Sequence, residues 1–96
     1  MIKQDMNSYE LVFILKEDKE NIFNNIKQMV VDLKGKIISQ ENWGKRNFAY
    51  EIKKNPSGYY FLWKINITKD KIQELKKKLD FNEDIIRYLL LNLELV

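Results

Sequence analysis

The feature that most constrains this chain is a change of hydrophobic period, repeated in a fixed order. Tyr9, Leu11, Phe13 and Leu15 alternate within residues 8–17, the period of a strand. Val12 and Ile14 lie on the opposite face, and a strand apolar on both sides belongs inside a sheet. The period then lengthens. Ile22, Phe23, Ile26, Met29, Val30 and Leu33 fall at helical spacing within residues 18–35, with Asp18 as expected N-cap and Gly35 as expected C′ glycine.

Strand character returns at residues 36–54, where Ile38, Phe48, Tyr50 and Ile52 carry the pattern and Gly44 marks an expected bulge or bend. Asn55-Pro56-Ser57-Gly58 reads as a turn. In residues 59–67, Tyr59, Phe61, Trp63, Ile65 and Ile67 form the expected core face, opposite Tyr60, Leu62, Lys64 and Asn66. A second helix spans residues 68–82, with Thr68 as N-cap and Ile72, Leu75 and Leu79 as its buried stripe. A final strand runs over residues 84–96, entered at Ile85 or Ile86 and continued by Tyr88 and Leu90.

The order β-α-β-β-α-β is the split βαβ unit. It predicts an α+β, ferredoxin-like fold: a four-stranded antiparallel sheet with both helices on one face and the first and third strands central. Ninety-six residues suffice for one such domain, residues 1–96.

Composition narrows the function. With no Cys and no His, thiol and imidazole chemistry are excluded, and with them the commonest zinc ligands. Ser8, Ser39, Ser57 and Thr68 are the only hydroxyl-bearing aliphatic residues, and three glycines form no phosphate loop. The paired acids Glu17–Asp18 and Glu83–Asp84 read as helix-end residues rather than metal ligands. The expectation is a non-enzyme without cofactor, metal or small-molecule substrate. No apolar run reaches the roughly 20 residues of a membrane span, so a cytoplasmic protein is expected.

Charge is uneven. Residues 36–64 carry six cations and two acids, whereas residues 1–35 have a net charge of −1 and residues 65–96 are balanced. A local positive excess is the footprint of a polyanion partner. Lys45, Arg46, Lys53 and Lys54 bracket the second strand, and Tyr50 lies among them as a candidate for stacking on a base. "SGYYFLWK" also looks partly like the third-strand motif of an RNA-recognition motif, which makes a stand-alone single-strand RNA binder the alternative reading. That alternative requires Tyr59 and Phe61 to face outward, against the parity of Trp63.

"ENWGKRNFAYEIKK" (41–54) resembles the signature of the bacterial ribosomal protein S6 family, with Gly44, Arg46, Ala49, Tyr50 and Ile52 matching and Phe48 in place of a leucine. "SYELVFIL" resembles the family's opening strand through Tyr9 and Glu10. "DFNEDIIRYLLL" (80–91) resembles its second helix end and last strand through Phe81, Asn82 and Arg87. Asp80 and Asn92 depart from the family's basic residues. The resemblance implies the same fold and a structural role in the small ribosomal subunit, binding the central domain of 16S rRNA together with ribosomal protein S18. The expected RNA contacts are then Lys45, Arg46, Tyr50, Lys53, Lys54 and Arg87. The expected S18 interface is Val12, Ile14, Tyr60 and Leu62 on the open sheet face, joined by Trp43.

Overall fold

The structure, a computed structural model, describes residues 6–93. The expected last residues of the final strand, 94–96, and the leading residues 1–5 lie outside that range. The elements are β1 (Met6–Leu15), α1 (Glu20–Asp32), β2 (Lys36–Ile52), β3 (Asn55–Thr68), α2 (Lys69–Phe81) and β4 (Ile85–Asn92). The sheet order is β2-β3-β1-β4, with every ladder antiparallel. The two-sided apolar strands, β1 and β3, are therefore central. No helix among the described residues is long and apolar enough to cross a membrane.

One core lies between the sheet and both helices. Tyr9, Leu11, Phe13 and Leu15 of β1 and Phe61, Trp63, Ile65 and Ile67 of β3 face Ile22, Ile26 and Val30 of α1 and Ile72, Leu75 and Leu79 of α2. Phe13 stacks on Phe61 at 5.3 Å and meets Trp63 edge-on at 5.0 Å. Phe23 adds an edge contact to Phe61 at 4.6 Å. Such pairs contribute about 0.5–1.5 kcal/mol each beyond their burial, so this aromatic cluster fixes how α1 seats on the sheet.

Three local expectations are corrected. α1 begins one residue beyond Lys19, which takes the N-cap position with no side-chain capping bond, so Asp18 is not the N-cap; Glu20 supplies the first-turn acid. At the other end Lys34, not Gly35, takes the left-handed position, with φ +62°. Its N–H donates to the Val31 carbonyl at 2.9 Å, and Gly35 N–H donates to the Val30 carbonyl at 2.9 Å, the paired bonds of a Schellman ending.

The third correction is the hairpin turn. Ile52 pairs with Asn55, so the loop is Lys53-Lys54 alone, and Asn55–Gly58 begins β3. Both lysines have positive φ, +49° and +67°, as a two-residue type I′ hairpin requires. Asn55 Nδ2 donates to the carbonyls of Ile52 (3.2 Å) and Lys53 (3.0 Å) and holds the turn. Pro56 is tolerated in a strand because the ladder is interrupted between the pairs Asn47–Ser57 and Ile52–Asn55.

Candidate nucleic-acid interface

β2 is an edge strand with surplus residues, and the surplus decides where its side chains point. Its register against β3 slips at Ile38, at Trp43 and again over residues 48–51. Gly44 sits at φ +80°, a conformation open to glycine, and its N–H is taken by Asn42 Oδ1 at 2.8 Å. The expected bulge is thus present, and Trp43 is the residue it expels: it is 45% exposed, with Nε1 donating to Glu41 Oε1 at 3.3 Å.

Cross-strand partners share a face of the sheet. Arg46 lies opposite Gly58, on the parity of Tyr60, and so projects from the face without helices. Lys45 lies opposite Tyr59 and projects from the helix side. In β4 a bulge at Ile86, between the pairs Leu15–Ile85 and Ile14–Arg87, turns Arg87 onto the same open face as Arg46. The β1–β3 ladder ends at Leu15–Tyr59, so Asn55–Gly58 and its β2 partner overhang the sheet by about 13 Å at the usual strand rise. Lys53 and Lys54 occupy the tip.

Lys45, Arg46, Tyr50, Lys53, Lys54 and Arg87 are all exposed, Tyr50 at 86%. None of the five cations has an ion-pair partner among the described residues, where the only pairs are Lys19–Glu17 at 2.7 Å and Lys71–Glu74 at 3.9 Å. Lys53 and Arg87, distant in sequence, line one recess of about 450 Å³ together with Lys16. Arg87 also borders a groove with Tyr50, Phe48 and Tyr60. Lys45, Arg46 and Lys54 line neither. Two acids enter the first recess, Asp80 and Glu83. Asp80 accepts a bond from the Tyr88 hydroxyl at 2.6 Å, and burial together with that bond pushes the Tyr88 phenol up to about 12.

The open face differs from expectation. Ile14 and Leu62, expected to be exposed, are each only 7% accessible, while Val12 and Tyr60 are half-buried. For Ile14 the cause is a second apolar cluster above Gly58. A Cβ at that position would come within 2.4 Å of Ile14 Cγ2, 2.9 Å of Phe48 Cζ and 3.3 Å of Ile86 Cδ1. Phe48 also meets Tyr60 edge-on at 6.3 Å. The exposed apolar residues of this face are instead Leu89, opposite Val12, and Leu91, opposite Glu10. Sequence reasoning missed both, although counting by twos from Arg87 reaches them.

The RNA-recognition alternative fails on geometry. Phe61 is 2% exposed and stacked in the core, and Tyr59 packs against the same cluster. Phe61 offers no face to a base, and the partly buried Tyr59 keeps the core parity that the alternative forbids.

Comparison with known proteins agrees with this architecture. Residues 8–92 match the family described as ribosomal protein S6. A small ribosomal subunit protein bS6 of Moorella thermoacetica is 35% identical over 94 residues, covering 93% of this chain and 96% of the relative. A bS6 of Rickettsia prowazekii is 38% identical over 89 residues, covering 88% and 74%. The crystal structure of 30S ribosomal protein S6 from Thermotoga maritima superposes with a TM-score of 0.82 at 31% identity, covering 92% of this chain and 88% of that one. Fold, signature and length thus agree across almost the whole sequence, and the chain belongs to the ribosomal protein S6 family.

Proposed function

We propose that this chain acts as one domain in the cytoplasmic small ribosomal subunit, binding the central domain of 16S rRNA jointly with ribosomal protein S18. The observation that carries the RNA assignment is the set of exposed cations without intramolecular partners around the β2–β3 hairpin: Lys45, Arg46, Lys53 and Lys54, with Arg87 beside them. Such charges bind phosphates by releasing counterions and position the protein without reading bases. The relatives' small-subunit names favour rRNA as the polyanion. Tyr50, exposed between the cations, serves as the stacking residue.

S18 is assigned to the open face and the β2 edge. Val12 and Tyr60 contribute directly, Trp43 contributes from its bulge, and Ile14 and Leu62 support the surface from beneath. Leu89 and Leu91 extend the apolar area toward β4.

The test is Lys53→Glu with Lys54→Glu. Both side chains are exposed, so thermal unfolding stays cooperative. Two lost phosphate contacts lower the slope of log K against log salt by about 1.4–1.8. Unchanged affinity and slope would remove the hairpin tip from the interface.

A further inference from the structure

We infer that Phe81 is a stacking platform for one unpaired RNA base, extending the RNA surface around the end of the sheet onto α2. This inference rests on the rRNA-binding reading above. Phe81 is the last residue of α2 and is 84% exposed. It stands between two depressions. One holds Lys16, Lys53 and Arg87. The other, about 400 Å³, holds Lys77, Lys78 and Met29. Lysines therefore flank the ring on both sides, and neither Lys77 nor Lys78 has an ion-pair partner among the described residues.

Charge complementarity selects the occupant. A protein partner wants a contiguous apolar patch, yet none of the other exposed large apolar residues (Val31, Ile38, Trp43, Tyr50, Leu89, Leu91) lines either depression. A lone aromatic ring between cationic flanks suits a nucleotide: the base lies on the ring and the adjoining phosphates lie over the lysines. The acids nearby are Asp80, engaged by Tyr88, and Glu83, both on the Arg87 side. The Lys77–Lys78 side holds no acid.

The experiment measures joint binding with S18 to a 16S central-domain fragment, using wild-type protein, Phe81→Ala, Phe81→Trp and Lys77→Ala/Lys78→Ala. Circular dichroism confirms that each variant folds. Losing one stacked base weakens binding about 5- to 150-fold. Phe81→Ala is expected to show that loss with an unchanged salt slope, Phe81→Trp to keep wild-type affinity, and the lysine pair to reduce the slope. A photocrosslinker at position 81 is expected to capture RNA. Wild-type binding by Phe81→Ala, or a crosslink to S18 alone, overturns the inference and leaves the rRNA reading standing. If wild-type protein fails to bind the fragment, both fall.

Discussion

Gly58→Ala tests whether the second apolar cluster organises the basic hairpin. The added methyl would meet Ile14 Cγ2 at 2.4 Å, Phe48 Cζ at 2.9 Å and Ile86 Cδ1 at 3.3 Å. The first distance is far inside van der Waals contact. Ile14 belongs to central strand β1, and its γ2 methyl can retreat only through χ1, a torsion that β-branching and the surrounding burial restrict. Ile86 is fully buried, so the remaining relief is movement of Phe48 and the 48–51 arch. Overpacking of this kind costs about 1–3 kcal/mol. Taking about 2 kcal/mol, a domain of this size loses about 8–16 °C in Tm.

A double-mutant cycle isolates the cause. Ile14→Ala alone opens a cavity and destabilises by about 2–5 kcal/mol. Combined with Gly58→Ala, it makes room for the new methyl, so the double variant should be more stable than the sum of the singles by about 1 kcal/mol or more. Urea unfolding of the four proteins measures this directly. Additivity within about 0.5 kcal/mol, or a neutral Gly58→Ala, would refute the packing described for this cluster.

Further outcomes follow from the turn and from β4. Replacing Lys53-Lys54 by Asn-Gly relieves two side chains held at positive φ, and should stabilise the domain by about 1 kcal/mol while weakening RNA binding; an unchanged or lower Tm would contradict the turn assignment. Tyr88 should titrate near its raised value of about 12 in a phenolate absorbance titration, with Tyr88→Phe identifying the signal. Its folded pKa lies above the unfolded value of about 10. Its contribution is therefore complete below pH ~10 and is lost as pH rises through the folded value. Tyr88→Phe should lose about 1 kcal/mol at neutral pH, with the difference from wild type shrinking in that alkaline window; a constant difference would show that the hydroxyl bond contributes nothing.

Element order, central strands and core stripes were legible because each helix or strand buries one face, and burial writes its period into the residue types. The turn was not legible. Pro56 and Gly58 advertise a turn that the interrupted ladder does not need, whereas Lys53-Lys54 carries no Asn-Gly signal for positive φ. Gly44 revealed its bulge; the surplus at Ile38 and at residues 48–51 left no mark, since an extra residue on an edge strand breaks no buried pattern. For the same reason the bulge at Ile86 was invisible, and with it the burial of Ile14 and the facing of Arg87. Lys45, Arg46, Lys53 and Lys54 were identifiable from local charge, whereas Arg87 lies in a stretch of balanced charge and was reached only through the family resemblance. Their meeting in one recess, Lys53 with Arg87, depends on topology.

The most direct test of the central claim is the affinity of this protein for a 16S central-domain fragment, with and without folded S18, at two salt concentrations. Weak binding alone is expected to become tight and salt-sensitive when S18 is present. No binding in either case, or binding that S18 leaves unchanged, would contradict that claim.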